Sequence, residues 1–280
     1  MGELSRVYLS CHTPRYCNYD AAFGNKISHP DFQPVRDGLV EQGRDVAAAK
    51  PDVIFINSCH LVTTFPTVVD GTPRHRDILT AQEIPDVIRD VEYDFPGDLE
   101  LAHAVIEKGK AADHLCTLAN DPHYPLDYGT VMPLVLYLDR SQQIPVVPIS
   151  VCLASDLEEC SKWGRYIVQA VRESDKTAAF VASGSVSHKL ARKPEKWPEP
   201  EDRELDQEFE RLMTARDFEK VWQWLPEFSK QADVEMGGRH LAMMLGAILE
   251  AGGDFKTTVH AYGPSSGSGN YIMTMAANAG

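Results

Sequence analysis

Short, β-branched apolar runs alternate with stretches of helical periodicity along this chain, and that alternation leaves few folds open to it. Residues 7–10, 53–56, 146–151 and 178–182 are apolar and bounded by polar residues, the pattern of strands buried on both faces. Val35, Leu39 and Val46 share one helical face. Cys160, Trp163, Ile167, Ala170 and Val171 share another, behind a capping box of Ser155 and Glu158. Further helices are expected over 205–216, 218–225 and 238–250, and two last strands around 257–262 and 271–275. Pro194, Trp197, Pro198 and Pro200 make 192–202 a surface loop. With no internal repeat and no evident linker, residues 1–280 are expected to form one α/β domain whose sheet is covered by helices on both faces.

Bulk properties narrow the function. A chain of 280 residues closes a core without disulfides or a structural metal, and its six cysteines form no Cys-x-x-Cys pair, so they are expected to be free thiols. A formal charge of -14 with no basic tract disfavours nucleic acid as a partner. No window approaches the roughly 20 apolar residues of a membrane span, and the first residues lack the basic-then-apolar order of a secretory signal. A cytoplasmic enzyme with no membrane partner is expected.

Three of the strand-like runs end on a histidine: Val7-Tyr8-Leu9-Ser10-Cys11-His12, Ile54-Phe55-Ile56-Asn57-Ser58-Cys59-His60 and Phe180-Val181-Ala182-Ser183-Gly184-Ser185-Val186-Ser187-His188. A single histidine is most often a surface or core residue. Three at equivalent places point to one pocket, because ligands of open α/β sheets bind beyond the carboxyl ends of the strands. The adjacent Cys11 and Cys59 suggest thiolate ligands, yet successive side chains of an extended strand face opposite ways, so the Cys and His of one dipeptide do not readily reach one ion. Two imidazoles and one carboxylate on one face of an octahedron leave positions open for substrate and oxygen and suit iron(II). Composition leaves that carboxylate open among Asp20, Asp127, Glu235 and others. Glu235 stands out because Gly237, Gly238 and an apolar helix come directly after it.

With these residues in view, the chain resembles the class III extradiol dioxygenases, the family of protocatechuate 4,5-dioxygenase, and within it the homoprotocatechuate (3,4-dihydroxyphenylacetate) 2,3-dioxygenase and 2-aminophenol 1,6-dioxygenase branches. The resemblance is carried by Ser183 to His188, by Glu83-Ile84-Pro85-Asp86-Val87-Ile88-Arg89-Asp90 with Tyr93, and by Asp127-Tyr128-Gly129-Thr130-Val131-Met132-Pro133. Leu225-Pro226-Glu227-Phe228 with Glu235 and Gly237, and Ser265-Ser266-Gly267-Ser268-Gly269-Asn270, complete it. It implies a central, mostly parallel sheet flanked by helices, with His12, His60 and Glu235 as ligands of Fe(2+) and His188 as the acid-base residue. Several family members carry a second catalytic histidine in an Asp-His-Gly motif where this chain has Tyr128. The two named branches also have tyrosine there, which implies that Tyr128 donates a hydrogen bond to the substrate.

The expected reaction is ring cleavage of a catechol resembling 3,4-dihydroxyphenylacetate by O2 to a muconic semialdehyde. A 2-aminophenol substrate is the nearest alternative. A zinc-dependent hydrolase using the same ligands is a more distant one, separated from the others by oxygen consumption. A substrate carboxylate would need a cationic partner, for which Arg15, Arg89, Lys189, Arg192 and Arg239 are the candidates. A homo-oligomer is expected; the need for a small partner subunit, found in some relatives, is left open by the sequence.

Overall fold

The apolar runs that end on histidine form the middle of one sheet in the computed structural model of the chain, which describes residues 1–14, 29–137 and 143–278. Its strands are β1 (Glu3–Ser10), β2 (Val53–Thr63), β3 (Thr67–Asp70), β6 (Cys116–Ala119), β7 (Val146–Cys152), β8 (Thr177–Ser183), β9 (Phe255–Ser265) and β10 (Ser268–Ala277), in spatial order β6-β3-β7-β2-β8-β1-β10-β9. The four central strands, β7, β2, β8 and β1, are mutually parallel. Beyond them β3 runs antiparallel to β7 and parallel to β6, while β10 and β9 close the other side antiparallel. The expected mostly parallel α/β sheet is therefore present. A separate hairpin of β4 (Arg74–Leu79) and β5 (Val91–Pro96) stands apart from it.

Both faces of the sheet are buried, and the period-two alternation of the strands divides the core in two. Val7, Leu9, Val53, Phe55, Ala178 and Phe180 face one cluster, whereas Tyr8, Ile54, Ile56, Ala179 and Val181 face the other. Helices α1 (Gln33–Ala49) and α3 (Tyr128–Tyr137) cover the second cluster. The first is covered by α2 (Leu99–Ala111), α4 (Leu157–Arg172), α5 (Pro200–Thr214), α6 (Phe218–Gln231) and α7 (Arg239–Glu250). Among the described residues no helix is long and apolar enough to cross a membrane.

Local details shift several expected boundaries. The cap of α4 is Asp156, which accepts the Glu159 N–H at 2.8 Å, so the capping box expected at Ser155 and Glu158 lies one residue off. Helix α5 begins at Pro200 within the expected 192–202 loop, because proline is well placed in a first helical turn, where its missing N–H has no partner to lose. Helix α6 continues past 225 through Pro226 to Gln231.

Helices α4 and α7 meet where neither has a side chain. A Cβ on Gly164 would strike the Met243 carbonyl, and one on Gly246 would strike the Ser161 carbonyl. Gly164→Ala or Gly246→Ala should therefore destabilise the fold by about 1–3 kcal/mol, although alanine is the better helix former by about 1 kcal/mol. Urea unfolding measures this, and an alanine variant as stable as the parent would contradict the close crossing.

Candidate metal centre

Three adjacent strands end together. Ser10 of β1 and Ser58 of β2 both pair with Ser183 of β8, so the residues after each strand emerge at one edge. His12 lies two residues beyond β1. His60 lies where β2 breaks register with β7, between the Ser58–Ser150 and Val62–Val151 pairs, and the extra residues of this bulge re-aim its side chain. Asp127 fixes the bulge from below: Ser58 Oγ donates to Asp127 Oδ1 at 2.6 Å and itself accepts the His60 N–H at 3.0 Å. The same carboxylate caps α3 by accepting the Thr130 N–H and hydroxyl at 3.0 and 2.7 Å. Asp127, open as a ligand on composition, is thus occupied as a scaffold, and Asp20 lies outside the described residues.

Glu235 enters from the other side of the core. It begins a 3₁₀ turn, Glu235–Gly238, in which Met236, Gly237 and Gly238 all have positive φ, of 49°, 63° and 80°. This left-handed passage favours glycine, and at Gly238 a Cβ would also collide with Ser229. The turn folds the Glu235 carboxylate inward, where Oε2 accepts the Ser185 N–H at 2.6 Å and Oε1 faces the imidazoles. Arg239 braces the turn by donating to the carbonyls of Met236, Leu153 and Ser155 at 2.8, 3.1 and 3.0 Å. Its guanidinium is engaged as structure.

Oε1 of Glu235 lies 3.4 Å from His12 Nε2, 3.7 Å from His60 Nε2 and 3.9 Å from His188 Nε2. One donor atom from each of His12, His60 and Glu235 falls within 4.8 Å of the others, a group that could hold one metal ion. The His12 and His60 rings meet edge-on, with centroids 4.7 Å apart. Tyr128, the first residue of α3, places its hydroxyl 2.6 Å from His60 Nε2. All four side chains singled out around the metal on sequence, and Tyr128 with them, are gathered in one place.

The hydrogen-bond network sets their protonation. Ser183 Oγ donates to the Gly129 carbonyl at 2.7 Å, so its lone pairs face His12 Nδ1 at 2.9 Å and that nitrogen carries the proton. In the neutral ring His12 Nε2 is then a bare lone pair aimed at a carboxylate oxygen, an arrangement that calls for a cation between them. Burial, reinforced by His12, pushes His60 down to about 4, which keeps it neutral near pH 7. For Glu235, burial alone would raise the carboxyl, but the imidazoles of His12, His188 and His240 outweigh it and hold the group below the ordinary carboxylate range. Burial moves the thiols the opposite way, Cys11 up to about 12 and Cys59 well above its usual value, so neither offers a thiolate.

Sequence reasoning did not assign roles to several residues here. Ser183, Ser185 and Asn270 lie inside segments that carry the resemblance, and the structure gives them work: Asn270 Oδ1 accepts from Thr13 at 3.1 Å and Ser185 at 2.8 Å, tying the loop after β1 to the loop after β8. Tyr93 Oη accepts the Leu126 N–H at 3.1 Å, which anchors the segment leading to Tyr128. His240 gave no signal at all, since it lies inside an apolar helix. It is fully buried against Gly184 and senses the Glu235 charge. Of the candidate cations, Lys189 is paired with Asp202 at 2.5 Å, Arg89 lies 3.5 Å from Asp90, Arg192 is exposed and Arg15 lies outside the described residues.

Comparison with known proteins places this geometry in context. Residues 7–273 match the family described as the catalytic LigB subunit of aromatic ring-opening dioxygenase. The chain is 26% identical over 255 residues to the 3,4-dihydroxyphenylacetate 2,3-dioxygenase of Escherichia coli, covering 89% of this chain and 91% of that one. It is 26% identical to the 2-aminophenol 1,6-dioxygenase beta subunit of a Pseudomonas species, covering 97% and 93%, and 28% identical to the alpha subunit, covering 89% and 95%. An uncharacterized protein from Escherichia coli K12 shares the fold with a TM-score of 0.64 at 18% identity, covering 98% of this chain and all of the other.

Burial lowers the His240 imidazole to about 4. The unfolded chain, with histidine near ~6.5, then binds the extra proton first, so this group withdraws stability as pH falls from ~6.5 towards 4. Replacing it by leucine should move the stability difference, variant minus parent, in the metal-free variant's favour by roughly 1–2 kcal/mol between pH 7 and pH 5. Denaturant unfolding at the two pH values checks the sign; a difference that moves in the parent's favour on acidification would refute it.

Proposed function

The chain belongs to the family of catalytic LigB subunits of aromatic ring-opening dioxygenases, and from that premise we propose that His12, His60 and Glu235 bind Fe(2+) for extradiol cleavage of a catechol-type ring. The observation that carries the reading is the convergence of two imidazole nitrogens on Oε1 of a buried carboxylate, 3.4 and 3.7 Å away, with no lysine or arginine beside it to balance its charge among the described groups shaping its titration. Protonated thiols, a neutral His60, the His12 imidazole and one carboxylate make a donor set suited to a non-haem iron site with open positions.

Bound there, ferrous iron would supply the path for electrons from an electron-rich ring to O2. The chain's own residues do the rest. Ser183 keeps the His12 proton on Nδ1 and Nε2 free to ligate. The Ser185 N–H holds Oε2 of Glu235, leaving Oε1 to face the pocket. His188 Nε2 lies 3.9 Å from Oε1, partly open to solvent, where it can accept a proton from a catechol hydroxyl and return it as the ring opens. Tyr128 is placed to donate its hydroxyl proton to an oxygen of the substrate once the ring nitrogen of His60 is engaged.

3,4-Dihydroxyphenylacetate is the first substrate to test, and 2-aminophenol the second, because relatives named for both reactions align over about nine-tenths or more of this chain. The relatives named as alpha and beta subunits each align along most of it, which supports an oligomeric enzyme and leaves room for assembly with a second chain.

Anaerobic loading with iron(II), followed by exposure of both substrates to O2, should give oxygen uptake and a visible-absorbing product. Zinc loading should give neither; hydrolytic activity without oxygen uptake would replace this reading with its zinc alternative. His12→Ala, His60→Ala and Glu235→Ala should each lose bound iron by metal analysis. His188→Phe should retain iron and turn over about 10²- to 10⁴-fold more slowly, and undiminished turnover would remove His188 from the chemistry.

A further inference from the structure

Helix α5 carries two carboxylates one turn apart, Asp202 and Asp206, that are buried to 1% and 0% relative exposure. Aspartate on a helix is ordinarily solvated, and burying its charge costs stability unless it is satisfied by donors. The apolar residues Phe209, Leu212 and Met213 dock α5 on the core, so the carboxylates are not needed to seat the helix. What they hold are the residues on either side of His188, Ser187 by its N–H and hydroxyl and Lys189 by its ammonium group. Asp206 Oδ1 accepts the Ser187 N–H at 3.1 Å, and its Oδ2 accepts the Ser187 hydroxyl at 2.6 Å. Asp202 accepts from Lys189 Nζ at 2.5 Å. The residue before His188 and the residue after it are each tied to the same helix.

Asp206 is in turn held from behind. Tyr262 Oη donates to Oδ2 at 2.5 Å, and the single hydroxyl proton of Tyr271 is shared between the Asp206 carbonyl at 3.0 Å and Glu210 at 2.8 Å. Those tyrosines belong to β9 and β10, so the clamp is fastened to the sheet as well as to the helix. Burial lifts the Asp206 carboxyl to about 6 even against these hydrogen bonds, which makes its retention in the interior a demanding arrangement. His188 itself is otherwise fixed through its main chain, by the hydrogen bond from its N–H to the Ala232 carbonyl at 3.2 Å and a bridge to Ser268.

We infer that Asp206 is a positioning residue for His188, holding Ser187 so that the neighbouring imidazole faces the metal centre, with Asp202 restraining the same loop through Lys189. The inference rests on the acid-base reading of His188 given above. An imidazole on a short connection after a strand has freedom to swing, and proton transfer demands hydrogen-bond reach of the substrate oxygen. A displacement of about 1 Å in such a group can cost on the order of 100-fold in rate.

The test is a double-mutant cycle on iron(II)-loaded protein, with 3,4-dihydroxyphenylacetate and 2-aminophenol as probes. Asp206→Ala should lower kcat about 10- to 100-fold with iron content and KM within twofold of the parent. Asp206→Asn, whose amide oxygen can still accept the Ser187 N–H, should recover part of the loss. Ser187→Ala, which removes only the hydroxyl, should lower kcat less than Asp206→Ala, and it carries the test if that variant fails to fold. In a His188→Phe background all three substitutions should have no further effect on kcat. Equal losses in both backgrounds, or unchanged kcat in Asp206→Asn and Ser187→Ala, would overturn the inference. A second readout needs no turnover: in metal-free protein labelled with ¹⁵N-histidine, Ser187→Ala and Asp206→Asn should move the ring resonances that His188→Phe abolishes. Those abolished by His114→Gln, a histidine that bonds to Tyr166 and not to the Ser187–Lys189 segment, should stay in place. If His188→Phe proves as fast as the parent, the acid-base reading falls, and this spectroscopic arm alone decides whether Asp206 places the ring.

Discussion

A single buried carboxylate organises this molecule. Glu235 is removed from water, has the Ser185 N–H on one oxygen and faces three imidazole nitrogens with the other. A charge so placed has to be balanced by cations or donors close by, and the fold is arranged to bring them. The strands supply two histidines at one edge of the sheet, the left-handed turn after α6 supplies the carboxylate, and α3 covers the pocket with Tyr128. Around these stands a layer of hydroxyls and amides, Ser58, Ser183, Ser185 and Asn270, whose hydrogen bonds fix tautomer and direction.

The central strands were legible because they are short, apolar and β-branched, and because both faces of the sheet are covered, so each run stays hydrophobic from end to end. The histidines at their ends could be read as one site for the same reason: parallel strands deliver their C-terminal extensions to a common edge. The hairpin of β4 and β5 was not legible, since Arg74, Arg76 and Asp77 alternate with few apolar residues and half of it faces solvent. Helix α3 was hidden as well, because Gly129 and Pro133 interrupt its pattern while Asp127 caps it from outside.

Within the cluster, the converging histidines and Glu235 were readable and their supports were not. Glu235 was favoured over other acids by the glycines after it, and the positive φ angles at Gly237 and Gly238 give the reason. Asp206 could not have been found in this way. It sits in a strongly charged helix and looks like surface until the helix is docked, when its register turns it toward Ser187. Periodicity reports which face of a helix is apolar; it does not report that two acidic residues on the boundary of that face will close over a loop from another part of the chain.

The parts of the cluster are far apart in sequence, from His12 to Glu235, and the Asn270 brace lies later still, on β10, which zips antiparallel onto β1. A nascent chain that has already released both histidine-bearing strands from the ribosome therefore lacks the carboxylate they converge on, and the first strand still waits for its last neighbour. Such non-local pairing makes for slow closure: the cluster is whole only once Glu235 has been made and the β9–β10 hairpin has sealed onto β1.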